Sequence, residues 1–362
     1  MQTQLKQILD EITPPDEAAR AAAHAKWAAC AHPLGSLGRL ETDIEDIAAL
    51  TGSPAISLAR RSVLVLCADN GVVAQGVSQS GQEVTAIVTR MLGEGKSSVC
   101  SMAAVARCRV IPVDLGVTGL ADGPAPGVLR RRVRCGTADI TQGPAMTRSE
   151  AGQAILTGID LVRQRAAAGD TLLATGEMGI GNTTTSAAVA SVLLGRAPAE
   201  LTGRGAGLSD VGLARKVAAI ETALACNRPD PADPVDVLAK VGGLDIAGLC
   251  GVFLGGAVCR VPVLIDGFIS AVAALCAVRL CPAAAKAILA SHVSAEPAGA
   301  LVLCALHKDP LITAEMRLGE GTGAVAAMPL LDMALALYDG STFSTYAMEP
   351  YHPWEDDACS VL

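Results

Sequence analysis

The chain has 362 residues, of which 51% are hydrophobic and only 18% charged, and its 37 glycines follow no three-residue period; disordered and collagen-like chains are thereby excluded. Its formal charge is −8 and its densest basic run, Arg130–Arg134, is short, which argues against a general nucleic-acid binder and for small-molecule chemistry. Aromatics make up 2%, so the core must be built from Ala, Leu, Val and Ile packed closely through small residues. Twelve cysteines occur singly, with no Cys-x-x-Cys pair, and most read as small buried hydrophobes in a reducing compartment. The N-terminus has acidic residues where a secretory signal needs an apolar run. The most apolar region, 241–281, is broken by Asp245, Arg260 and Asp266, so no membrane segment is expected and the cytoplasm is the expected location.

In chain order, Pro14-Pro15 precedes an Ala-rich helix through Cys30. His32–Gly38 reads as a loop and Arg39–Leu50 as a second helix. From Ser62 the β-branched run SVLVLCAD predicts a buried strand ending in Asp69-Asn70-Gly71. A helical stretch over 83–107 follows, then a strand over 110–116, a helix over 149–168 and a third strand in DTLLATGEMG. VPVLIDGF (261–268) is a fourth strand and Ala290–Ser294 another; from Pro310 the pattern predicts helix through Tyr338. This alternation predicts an α/β fold with a mostly parallel sheet, open and doubly wound rather than closed into a barrel. A ligand then belongs beyond the carboxyl ends of the strands, where Asp69, Asp114, Glu177 and Asp266 fall. Residues 1–60 and 310–362 are expected to form a small helical domain, and 61–309 the large α/β domain.

The strongest local signal is Gly176-Glu177-Met178-Gly179-Ile180-Gly181-Asn182-Thr183-Thr184-Thr185-Ser186, between an apolar strand and an apolar helix. Glycines admit close backbone approach and a helix start offers N–H groups, so a phosphate is the natural occupant; the alternative is a capped turn. It is neither a Walker A loop nor a dinucleotide fingerprint. Lys216, beyond the loop Gly203–Gly207, could add a point charge to the same phosphate. In Gly319-Glu320-Gly321 a glycine-flanked carboxylate is a candidate general base, or else part of a helix cap. The histidines, His24, His32, His292, His307 and His352, form no metal-like cluster; His292 is the best placed of them.

Together these blocks resemble the nicotinate-nucleotide:dimethylbenzimidazole phosphoribosyltransferase family of cobamide biosynthesis. The match runs in family order through HPLGSLGRLE (32–41), Asp69–Val73 with Gly76-Val77-Ser78, Gly143–Met146, GEMGIGNTT and KVGGLDIAG, then LIDGF (264–268), SHVSAE (291–296) and MRLGEG (316–321). The resemblance implies a Rossmann-like three-layer α/β/α domain, a small helical domain from both termini, and a dimer, either homodimer or heterodimer with a homologous subunit. It implies transfer of 5-phosphoribosyl from nicotinate mononucleotide, a substrate and not a cofactor, to a lower-ligand base such as 5,6-dimethylbenzimidazole. No cofactor or metal is implied, and no nucleic-acid or membrane partner. Glu320 and Glu177 take the catalytic positions. Gly179, Gly181, Asn182, Thr183, Thr184, Lys216 and Ser294 fall on donor-binding positions, and Asn70, Ser78, Ser80, Gln82 and Leu318 on acceptor-binding ones. The chain departs from the family where Asn70 replaces a histidine and Gln79-Ser80-Gly81-Gln82 replaces an apolar, proline-containing stretch. That keeps two alternatives open: transfer to phenol or p-cresol within a heterodimer, and a catalytically silent partner subunit.

Overall fold

The structure, a computed structural model, describes residues 2–120, 123 and 125–351; His352 and Cys359 lie outside them. Within these, six parallel strands form one sheet: β1 (Arg61–Ala68), β2 (Arg109–Gly116), β3 (Leu129–Arg130), β4 (Leu172–Met178), β5 (Val263–Ile265) and β6 (Ile288–Ala290). Their spatial order is β3-β2-β1-β4-β5-β6. Strands leave β1 in one direction and β4 in the other, so the order reverses between these two, and a crevice opens beyond their carboxyl ends. β1 is buried over all eight residues, as a central strand covered on both faces must be. Helices Glu83–Gly93 and Leu244–Cys259 both pack on β1, β2 and β4. The open, doubly wound α/β reading therefore holds.

Small residues set the spacing of the layers. Helix Arg148–Ala167 lies against Leu244–Cys259 so closely that a Cβ on Gly158 would fall 2.0 Å from the Gly248 carbonyl oxygen. A Cβ on Gly251 would fall 1.9 Å from the Ile155 carbonyl oxygen. A chain with 2% aromatics fills its core by such backbone-to-backbone approach, where each added methylene would force a shift.

Four sequence expectations are corrected. Among the described cysteines only Cys30, Cys67, Cys250 and Cys276 are buried, while Cys135, Cys226 and Cys304 are exposed. The stretch 83–107 is two helices, Glu83–Gly93 and Ser98–Val105, parted by Gly95 at φ +72°. The last strand ends at Ala290, and His292 follows it in an isolated bridge to Ile312. From Pro310 to Gly321 the chain is irregular, and the helix is Thr322–Tyr338. Glu315, Gly319, Glu320 and Gly321 all have positive φ there, a conformation no right-handed helix admits.

The described chain divides into two compact units. Residues 1–14 and 58–328 make the sheet unit, so 310–328, with Glu320, group with the strands. The second unit comprises 15–57 and 329 onward. In it, Asp16 caps helix Glu17–Ala29 by accepting from the Ala19 N–H at 3.0 Å. Trp27 packs on Tyr338 with ring centroids 4.9 Å apart, and the Tyr338 hydroxyl donates to the Pro54 carbonyl.

Candidate active site

A cleft of about 210 Å³ opens in the sheet unit over the ends of β4, β5 and β6. One wall is the turn from β4 into helix Asn182–Leu194, where Gly181 takes φ +94° to redirect the chain. Thr183, in the first turn of that helix, accepts from the Lys216 ammonium at 2.7 Å. Lys216 reaches across from helix Asp210–Asn227 and also donates to the Gly203 carbonyl at 3.1 Å. Burial lowers its ammonium to about 8, because the charged form has lost water without gaining a full counter-charge. Helix start, glycine turn and half-satisfied cation together make an anion cradle.

Carboxylates line the same cleft. Glu177, near the carboxyl end of β4, receives the Asn182 side-chain amide, and that same amide reaches Asp245 at 3.1 Å. Burial, reinforced by the Asp245 charge, pushes the Glu177 carboxyl up to about 8, against the pull of Asn182. Glu320 lines the same cleft at φ +61°, between two positive-φ glycines. Its carboxylate accepts from the Val99 N–H at 3.2 Å, at the start of helix Ser98–Val105.

Two contacts hold the strained Glu320 turn in place. Its carbonyl packs on Gly176, where a Cβ would come within 2.4 Å of it. Beyond it, the Asp266 carboxylate at the end of β5 accepts from the N–H groups of Gly321, Gly323 and Ala324 at 2.7–3.1 Å. His292 lines the same wall; burial lowers its pKa while the Asp266 charge pulls it up.

Of the residues singled out in the sequence, Glu177, Gly179, Gly181, Asn182, Thr183, Ser294, Ser78, Leu318 and Glu320 all line this cleft. Lys216 meets it through Thr183, and Thr184 is buried and not part of its lining. The remaining acceptor candidates do not line it. Asn70 is fully buried, and Gln82 donates to the Asn70 carbonyl at 3.1 Å and lines a separate hollow with Thr118 and Thr137. Ser80 donates its N–H to the Ser78 hydroxyl, and Gln79 donates to the carbonyls of Ala206 and Gly207, steadying the 203–207 loop. Val99 is not legible in the sequence as part of a site. Asp245 stands in the block KVGGLDIAG that carries the family resemblance, but the sequence gives it no role.

With this geometry in view, comparison with known proteins is decisive. The phosphoribosyltransferase family model matches residues 12–347. A nicotinate-nucleotide–dimethylbenzimidazole phosphoribosyltransferase of Ruminiclostridium cellulolyticum is 48% identical over 324 residues, covering 89% of this chain and 92% of the relative. The chain belongs to the nicotinate-nucleotide:dimethylbenzimidazole phosphoribosyltransferase family. A second member, from a Roseiflexus species (strain RS-1), is 47% identical over 336 residues, covering 92% and 95% of the two chains. The solved structure of CobT from Thermus thermophilus superposes with a TM-score of 0.87 at 40% identity, over 92% of this chain and 99% of that one. As a member of this family the chain is a phosphoribosyltransferase, which agrees with a cleft that pairs an anion cradle with carboxylates. Among the described residues, no helix is long and apolar enough to cross a membrane.

Proposed function

We propose that this chain moves the 5-phosphoribosyl group of nicotinate mononucleotide to a cobamide lower-ligand base, 5,6-dimethylbenzimidazole or a close relative. The observation that carries this reading is that one cleft holds both an anion cradle, Lys216 with the Gly179–Thr183 turn, and the carboxylates of Glu177 and Glu320. The names of the relatives supply the two substrates.

In this reading the 5′-phosphate sits on the helix start beside Lys216, which fixes C1′ against the acceptor. A ring nitrogen of the base attacks C1′ as the bond from C1′ to the pyridinium nitrogen breaks. The bonding pair stays on that nitrogen, and nicotinate leaves as a neutral ring bearing its carboxylate. The proton on the acceptor's other nitrogen passes to Glu320. Glu177, with its carboxyl near 8, keeps its proton at neutral pH and serves as a hydrogen-bond donor, so that two carboxylate charges do not oppose each other. The pyridinium is already activated, and the transfer needs neither metal nor cofactor. The working assembly in this reading is a dimer, of identical or homologous subunits.

Asn70 and Gln79–Gln82, the positions that suggest a phenolic acceptor, lie off the cleft, so the benzimidazole reading is preferred. The test is to incubate purified chain with nicotinate mononucleotide and equimolar 5,6-dimethylbenzimidazole and phenol, identifying products by mass. The α-ribotide 5′-phosphate of the benzimidazole, formed in step with nicotinate, is the expected result. Nicotinate release that ignores the acceptor would overturn the reading, and a phenol ribotide as main product would restore the phenolic alternative.

A further inference from the structure

One sequence block, KVGGLDIAG (240–248), plays no part in the chemistry above, yet it brings a fully buried carboxylate behind the cleft floor. Asp245 lies in the first turn of helix Leu244–Cys259 and is 0% exposed. One of its oxygens accepts the adjacent Ile246 N–H at 3.0 Å, as an acid at a helix start can. The other turns away from the helix and accepts from the Asn182 amide at 3.1 Å. The Asn182 amide also serves Glu177, so its two hydrogens join a carboxylate inside the cleft to one behind it.

Asn70 closes the other side of Asp245. A Cβ on Gly243 would fall 2.3 Å from Asp245 Oδ1 and 2.7 Å from Asn70 Oδ1, which places the two side chains against the same patch of backbone. Gly179 is pressed similarly, its Cβ position lying 2.9 Å from Asp245 Oδ2 and 3.0 Å from Asn70 Nδ2. Helix-start geometry alone accounts for the first oxygen of Asp245. It does not account for a second oxygen aimed into the amide that holds Glu177.

We infer that Asp245 is a positioning residue for the transfer, acting through the Asn182 amide to fix the orientation of Glu177 and to keep its carboxyl protonated. The inference rests on the part given to Glu177 above. The titratable groups around Glu177 are Asp245 from helix Leu244–Cys259, Asp266 from the end of β5, Glu320 from the 319–321 turn and Cys67 from β1; His292 faces Asp266. Asp245 exerts the largest charge effect on Glu177, and it shares a hydrogen-bond donor with it. Burial lifts Asp245 itself to about 6, opposed by the Asn182 amide and the Ile246 N–H, so above neutral pH it is an anion. Removing that anion lets Glu177 ionise at lower pH.

The test is the pH dependence of kcat and KM for nicotinate mononucleotide in wild type and Asp245→Asn, with folding checked by thermal melting. The alkaline fall in kcat should move to lower pH by about one unit, which is roughly a tenfold loss near pH 9 against a change within threefold near pH 6.5. Asp245→Ser makes the same charge change with a smaller side chain and decides the question if Asp245→Asn does not fold. A loss of equal size at every pH in a folded variant would mean a purely structural role, and an unmoved profile would also overturn the inference. If wild type releases no nicotinate with any acceptor, the function proposed above fails instead.

Discussion

At the residue scale, burial has moved Glu177 and Lys216 toward neutrality at the cleft where the donor is expected. Glu177 is lifted from 4.5 to about 8. The native chain therefore holds a proton that the unfolded chain releases from about pH 4.5 upward. The Glu177 contribution to stability is complete below that pH and is lost as pH rises through about 8. Glu177→Gln removes the titration, so its melting temperature should exceed that of wild type at pH 8.5 and match it more closely at pH 5, while turnover falls. Differential scanning fluorimetry across pH checks the sign. Lys216 is lowered from 10.5 to about 8, and a bound phosphate dianion would restore its proton. Donor binding near pH 8.5 should accordingly take up protons, visible in calorimetry as a binding enthalpy that varies with buffer ionisation heat. Lys216→Met should raise KM for nicotinate mononucleotide by roughly 10–150-fold, the equivalent of about 1.5–3 kcal/mol for a charge-assisted bond. Glu320→Gln should instead leave donor affinity near wild type and lower turnover by roughly 10²–10⁴-fold, the range for a positioned general base.

At the scale of elements, the site depends on how closely backbone segments approach. Gly176 in β4 supports the Glu320 carbonyl with no room for a side chain. Gly176→Ala should push the 319–321 turn outward and lower kcat at least about tenfold, while KM for the donor changes less, since the anion cradle is built elsewhere; steady-state kinetics separates the two. The same proximities explain what can be read from the sequence. β1, β2, β4 and β5 are legible because buried parallel strands are continuous apolar runs, and here each carries an acid at or near its carboxyl end. β3 is not, because two exposed residues, Leu129 and Arg130, leave no periodicity to detect. The stretch 310–321 reads as helix in the sequence because no proline interrupts it after Pro310. Its four positive-φ residues and the Asp266 contacts that hold the turn are set by partners remote in sequence. Glu177 and the glycine turn stand out by composition, and Lys216 is found through the family resemblance. The roles of Val99 and Asp245 exist only once separate elements are brought together.

At the scale of the molecule, the strand order determines when function can arise during folding. The cleft draws on the ends of β4, β5 and β6 and on the 316–320 turn, and Glu177 is held from behind by a helix that begins at Leu244. Each parallel neighbour is joined by a long crossover, so every pairing closes a large loop before any contact repays its entropy. No early intermediate that contains only β1 and β2 can hold the phosphoribosyl donor. Nicotinate mononucleotide should therefore leave the refolding rate of diluted, denatured chain unchanged while slowing unfolding in proportion to its saturation, because it meets a partner only on the native side of the barrier. In cells the same asymmetry would make donor supply a determinant of enzyme lifetime: chain starved of substrate opens and is degraded, while occupied chain persists.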